Sequence, residues 1–343
     1  MTSRQTVLVT GGTGFLGAHI IIQLLQKGYQ VKTTIRSMQR KSDVIQMLSA
    51  GGVASLDRLD FVEADLMNDT HWNEAVRDCD YVLHVASPFP GTALQHEDEL
   101  IRPAREGALR VLKAAHDAGV RRVVMTSSFA AIGYSIDPRE HTFTENDWTD
   151  PNSKIAAYIK SKTVAELAAW HFAKNEGVSL ELTVINPVGI FGPVLGKDFS
   201  SSIQLVARIL SGKIPKIPQL NFGVVDVRDV AELHIKAMTA EKAAGQRFLA
   251  AADGPGSLPE IARLLRARYP HHRPPISTKV LPDWMVKLVA NFKPELKAIA
   301  TQLGPAKSLS NQKAKTILQW TPRKRETTIV DTSDSLLKFG IIK

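Results

Sequence analysis

Only one cysteine, Cys79, occurs in the 343 residues, which excludes an internal disulfide framework and suits a reducing compartment. It falls between a helical stretch and the strand pattern YVLHVA, where a structural role is expected. No apolar run reaches the roughly 18 residues of a membrane-spanning helix. Residues 1 to 10 carry a strand pattern rather than a cleavable leader, so a cytoplasmic protein is expected. Aromatics make up 6% of the chain and do not interleave with basic residues as in a nucleic-acid module. His and Cys show no zinc-ligand spacing, and no metal is expected. The net charge of +9 is concentrated from Ser257 onward, with 16 Lys and Arg against 6 Asp and Glu. These basic residues are scattered through apolar helices, apart from the run Arg323-Lys324-Arg325. They read as a solvated face, so neither nucleic acid nor a membrane is expected as partner. Internal repeats and low-complexity linkers are also lacking, which argues against flexibly joined modules.

What is present is a stretch of densely placed glycines after a short apolar run. Thr6 to Gly17 reads TVLVTGGTGFLG: Val7, Leu8 and Val9 predict a buried parallel strand, and the glycines allow a tight turn. A helix beginning near Gly14 aims free backbone N–H groups at a diphosphate. Strand and helix patterns then alternate. AHIIIQLLQKG is helical and stops at Gly28, YQVKTTI is a second strand, 41 to 50 a helix, and Leu59 to Val62 a third strand. Tyr81 to Val85 and Arg122 to Thr126 give the fourth and fifth strands, separated by a long helix over 97 to 118, and Leu180 to Ile185 the sixth. This alternation predicts an α/β protein with a Rossmann-type doubly wound parallel sheet and a dinucleotide in its crevice. The expected division is a nucleotide-binding domain over 1–187 plus 221–244. A smaller, sequence-discontinuous C-terminal substrate domain is expected over 188–220 plus 245–343.

The ends of the strands carry the chemistry. A site selective for the 2′-hydroxyl usually has an acid at the end of the second strand, but here the strand ends in Ile35, Arg36 and Ser37, with Lys41 close behind. A 2′-phosphate needs cationic donors, so NADPH/NADP+ is expected over NADH, with Arg36 as its reader. Asp65 ends the third strand and either receives the adenine amino group or caps the following helix. Val85 closing the fourth strand, Ala86 and Ser87 after it, and Thr126 closing the fifth let a cofactor pass close to the backbone. Ser127 and Ser128 follow immediately, at the carboxyl edge where ligands bind.

Tyr158 and Lys162 lie four apart on one predicted helical face. Reducing a carbonyl requires a proton for the developing alkoxide. A phenol with an ordinary pKa near 10 relays protons poorly around neutrality. An ammonium beside it favours its ionised form, and a serine hydroxyl can orient the carbonyl. Tyr158 and Lys162 are therefore the expected catalytic pair.

With these residues placed, the chain resembles the extended short-chain dehydrogenase/reductases, in particular the dihydroflavonol-reductase-like and aldehyde or ketone reductase branch. The resemblance covers about Thr6 to Ala251 and rests on VTGGTGFLG, the Arg-ended second strand, ADL at 64–66, HVASP at 84–88, VVMTSS at 123–128, YIKSKTVAE and NPVGIFGP. It implies catalysis by Ser128, Tyr158 and Lys162: Ser128 binds the substrate oxygen, Tyr158 donates the proton, and Lys162 holds the nicotinamide ribose. Ser127 competes for the serine role, because the doublet leaves the alignment ambiguous by one residue. The resemblance also implies pyrophosphate at Gly11, Gly14, Phe15 and Leu16, 2′-phosphate at Arg36 and Lys41, adenine at Asp65 and Leu66, and nicotinamide at Pro187 and Val188. Two positions depart from the family pattern. Pro103-Ala104-Arg105-Glu106-Gly107 replaces Asn-x-x-Gly, and Asn186-Pro187 stands where Arg-Pro is usual.

The branch implies reduction of an aldehyde or ketone, with stereochemical preference. Phe89, Phe129, Ile132, Tyr134, Phe191 and Phe199 flank the chemistry and offer apolar pocket surfaces or core packing; Trp284 and Phe292 pose the same choice. An aromatic or bulky apolar carbonyl substrate is expected. Cinnamoyl-CoA reduction is less favoured, because Asn-Trp-Tyr-Cys is lacking. The alternatives are a hydroxysteroid-type alcohol dehydrogenase and a non-catalytic NADP-binding regulator. Helices over 97–118 and 154–174 either cover the sheet of a monomer or pair in a homodimer.

Overall fold

The computed structural model describes residues 5–88, 96–197, 199–290 and 303–342. Its first half alternates strand and helix: β1 (Thr6–Val9), α1 (Phe15–Gln26), β2 (Gln30–Ile35), α2 (Lys41–Ala50), β3 (Leu59–Glu63), α3 (Trp72–Val76), β4 (Tyr81–His84), α4 (Asp98–Asp117) and β5 (Arg122–Thr126). A two-residue strand β6 (Thr142–Phe143), helix α5 (Ala157–Asn175) and strands β7 (Glu181–Pro187) and β8 (Gly189–Phe191) follow. Then come α6 (Ser201–Leu210), β9 (Ile217–Pro218), β10 (Asn221–Phe222), β11 (Val224–Asp226), α7 (Val227–Thr239), β12 (Arg247–Ala250), β13 (Gly256–Ser257) and α8 (Leu258–Arg268).

Seven strands form one sheet in the order β12-β7-β5-β4-β1-β2-β3, and every neighbouring pair is parallel. The expected doubly wound Rossmann sheet is therefore observed. β1 is apolar on both faces because both are covered. Successive side chains alternate across a strand, so Val7 and Val9 enter one core and Leu8 the other. On the first face α1 packs against α7, with Ile20, Ile21 and Leu24 fully buried. On the second face α4 packs against α5, bringing Ala108, Val111 and Leu112 against Ala169 and Phe172. Each fully buried aliphatic side chain contributes about 1.5–3 kcal/mol, so the two-sided burial of β1 holds the glycine turn at its end firmly.

The sheet runs further along the chain than the sequence suggests. The expected boundary at 244/245 assigns β12 to the smaller unit, yet Arg247 to Ala250 pair in register with Val184 to Pro187 as the seventh parallel strand. The C-terminal helix Arg325–Lys338 packs against β8, β11, α6 and α8. The Thr332 hydroxyl accepts the Gly192 N–H at 2.7 Å, and the Ser335 hydroxyl accepts the Val194 N–H at 2.9 Å. Cys79 is buried and its thiol is pushed up to about 11 by desolvation, which suits the expected structural role. Among the described residues no helix is long and apolar enough to cross a membrane.

Candidate active site

The glycine turn is built by close contacts that side chains would break. Gly11 has φ +76°, and a Cβ there would lie 3.1 Å from that of Ala86. A Cβ on Gly17 would stand 2.4 Å from the Gly11 carbonyl oxygen, which explains how α1 starts so tightly against the turn. Gly14 is the N-cap without a side-chain cap. The N–H groups of Phe15 and Leu16 thus open the helix where no intrahelical carbonyl can receive them. This cradle and its donors fit a diphosphate.

Thr10 joins the turn to the fourth strand. Its hydroxyl oxygen accepts the N–H groups of Val85 and Ala86, each at 3.0 Å, and lies 2.9 Å from His84 Nδ1. With both lone pairs used, the Thr10 hydroxyl donates to Nδ1, so neutral His84 carries its proton on Nε2. Burial holds the His84 imidazole down at about 3, which keeps it uncharged near neutrality. His234 is locked in a similar way: Nδ1 donates to the Val230 carbonyl at 2.8 Å, leaving Nε2 to accept the Thr126 hydroxyl at 2.7 Å.

A cleft at the carboxyl edge of the sheet is lined by Leu66, Ala86, Ser87, Thr126 and Lys162, five of the expected cofactor residues, together with His84 and Glu166. Lys162 Nζ donates to the Ser87 hydroxyl at 2.9 Å and lies 5.9 Å from the centre of the Tyr158 ring. Tyr158, the second residue of α5, is 42% exposed. The Ser128 oxygen caps the short turn Phe129–Ala131 by accepting the Ala130 N–H at 3.1 Å, and its carbonyl receives Asn186 Nδ2 at 3.2 Å. Ser127 is committed elsewhere, for its hydroxyl donates to buried Glu166 at 2.5 Å.

The remaining expected residues distribute as follows. Arg36 is exposed at the end of β2, and Lys41 Nζ stands 5.0 Å over the Phe61 ring. The Asp65 carboxylate accepts the Met67 N–H at 3.0 Å, whereas the next helix begins at Trp72, so Asp65 does not cap it. Leu66 is buried beside Gly107, where a Cβ would come within 3.1 Å of its own. Pro187 is buried at the end of β7, and Val188 packs against the cluster of Phe129, Ile132, Phe143 and Leu249. Ile132 and Phe191 are core residues and Trp284 is 65% exposed, while Tyr134 stays 39% exposed. Phe89 and Phe292 lie outside the described residues.

Sequence reasoning missed the network behind the serines. Glu166 accepts from Ser127, from Asn186 Nδ2 at 2.7 Å, from Arg247 Nε at 2.6 Å and from Trp170 Nε1 at 3.2 Å. The signal was its spacing: Tyr158, Lys162 and Glu166 recur every four residues along one face.

A doubly wound sheet with a glycine-cradled helix N-terminus, and with Lys162 in its crevice, defines a nucleotide-dependent enzyme fold. Residues 7–251 match the NAD dependent epimerase/dehydratase family, and the chain belongs to it. The resemblance drawn from the motifs is borne out. A cinnamoyl-CoA reductase of Medicago truncatula is 32% identical over 341 residues, covering 97% of this chain and 95% of that protein. An anthocyanidin reductase of Vitis vinifera is 34% identical over 288 residues, with coverage of 79% and 83%. Among solved structures, yeast methylglyoxal/isovaleraldehyde reductase Gre2 complexed with NADPH superposes with a TM-score of 0.80 at 28% identity, covering 98% of this chain and 99% of that one.

Proposed function

We propose that the protein is an NADPH-dependent carbonyl reductase that converts an aldehyde or ketone, aromatic or bulky and apolar, to its alcohol. The observation that carries this reading is the placement of Lys162, hydrogen-bonded to Ser87 inside the cleft and facing the Tyr158 ring from one helical turn away. The glycine turn with Phe15 and Leu16 would hold the diphosphate. Arg36 and Lys41 would hold the 2′-phosphate, Asp65 and Leu66 the adenine, and Pro187 and Val188 the nicotinamide side. When bound, reduced nicotinamide supplies the hydride that no side chain can provide.

The chain's own groups do the rest. Ser128 Oγ orients the carbonyl oxygen, and Tyr158 Oη delivers the proton to that oxygen as carbon accepts the hydride, giving the alcohol. Lys162 fixes the ribose and stabilises the phenolate left on Tyr158. Ser128 is favoured over Ser127 because the Ser127 proton already belongs to Glu166. A panel of aromatic and branched aldehydes and ketones, assayed with NADPH and NADH, tests the proposal. Oxidation of NADPH with formation of the alcohol is expected, and NADPH binding without turnover of any carbonyl would count against it.

A further inference from the structure

Lys307 stands out among the cations near this site. Its neighbour Ser308 pairs with Thr142 and Leu309 with Phe143 in a short parallel ladder, and the Ser310 N–H donates to the Phe143 carbonyl at 2.9 Å. This fixes the Lys307 backbone. Leu309 packs against the cluster that holds Phe129, as does Val188, the proposed nicotinamide contact. The Lys307 ammonium lies 3.7 Å from the centre of the Tyr134 ring and 5.5 Å from that of Phe129, the residue after Ser128.

Its lack of an acidic partner is informative. Lys160 has Glu97 at 2.6 Å and Lys315 has Asp253 at 2.6 Å. Lys307 makes no ion pair among the described residues, and desolvation alone brings its ammonium down to about 8. Two aromatic faces offset only part of the cost of holding a cation away from water. Tyr134 lies 5.8 Å, ring centre to ring centre, from Phe129, the residue after Ser128.

We infer that Lys307 is the substrate-selecting cation of this site, pairing with a carboxylate carried by an aromatic carbonyl whose ring lies against Tyr134. The inference rests on the reductase reading for the carbonyl, but not for the anion. The cofactor's own phosphates are assigned to the glycine turn and to Arg36, so the anion is the substrate's.

The probes are 4-formylbenzoate and its methyl ester, which differ in charge and by one methyl group. Calorimetry with the NADP+ complex measures their binding without turnover. The wild-type protein is expected to bind the acid at least tenfold more tightly than the ester, and Lys307→Met to remove that preference while leaving NADPH affinity within about threefold. Because the ammonium is lost as pH rises through about 8, acid binding by the wild type should weaken between pH 7 and 10 while ester binding stays level. Equal binding of acid and ester by the wild type overturns the inference, as does a parallel loss of both in Lys307→Met or a large loss of NADPH affinity. Turnover separates the two readings. Reduction of the ester without preference for the acid upholds the reductase and rejects Lys307, whereas a charge-dependent preference in binding with no reduction of either aldehyde upholds Lys307 and counts against the reductase.

Discussion

Ser127 gives its proton to Glu166 across 2.5 Å, from a position where both residues are buried, and so leaves its neighbour Ser128 as the serine free to meet a carbonyl. Removing the two hydroxyls should therefore have different consequences. Ser128→Ala is expected to lower kcat/KM about 100-fold, in the range of a lost oxyanion donor, with little change in melting temperature. Ser127→Ala should cost about 1–3 kcal/mol of stability, because Glu166 loses a buried partner, while kcat/KM stays within a few-fold. Steady-state kinetics and denaturant unfolding on both variants check this, and equal losses of activity would reject the assignment.

Glu166 also neutralises Arg247, whose Nε lies 2.6 Å away while its guanidinium stacks 3.6 Å from the Trp148 ring centre. Taking the carboxylate away strands a charge in the interior, which costs about 3–5 kcal/mol. Glu166→Leu is expected to lose that much in urea unfolding. The double variant Glu166→Leu with Arg247→Met should regain a large part of it. Additive losses would mean that the two charges are not coupled.

Arg36 ends β2 exposed, where a ribose-binding acid would favour the unphosphorylated cofactor. Arg36→Ala should weaken NADPH binding by more than tenfold and NADH binding by less than about threefold, read by fluorescence titration. Parallel losses would remove Arg36 from the role of phosphate reader.

Three buried histidines tie stability to pH. Desolvation holds His19 and His234 at about 4 and His84 at about 3, against an ordinary 6.5. Below pH 6.5 the unfolded chain takes up protons that the folded protein refuses, so their contribution is present above that value and declines as pH falls toward about 4. Each histidine steepens the loss by about 1.4 kcal/mol per pH unit within the window. His84→Gln should flatten the dependence between pH 6 and 4, measured by urea unfolding at a series of pH values; an unchanged slope would contradict the buried neutral imidazole.

Local signals carried the first half of this fold. Thr6 to Gly17 declares its strand, turn and helix through apolar run and glycine spacing alone, and helix α2 falls on the expected residues 41 to 50. Tyr158 and Lys162 were legible as a pair because four residues make one helical turn. What stayed hidden depends on partners far along the chain. Gly245 to Ala251 reads as a short strand, but nothing local says that Arg247 to Ala250 pair with Val184 to Pro187. The same distance hides the Arg247–Glu166 pair and the placement of Lys307 over Tyr134. Ile132 and Phe191 are hydrophobes beside the chemistry by sequence, and only the packing shows that they face the core.

Reduction depends most on the proton carried by Tyr158, and single-turnover reduction by Tyr158→Phe reads it directly. With NADPH prebound and a carbonyl substrate in excess, the rate of nicotinamide oxidation is expected to fall about 100- to 10,000-fold while NADPH affinity is retained. A variant that oxidises NADPH at the wild-type rate and forms the alcohol would contradict the central claim.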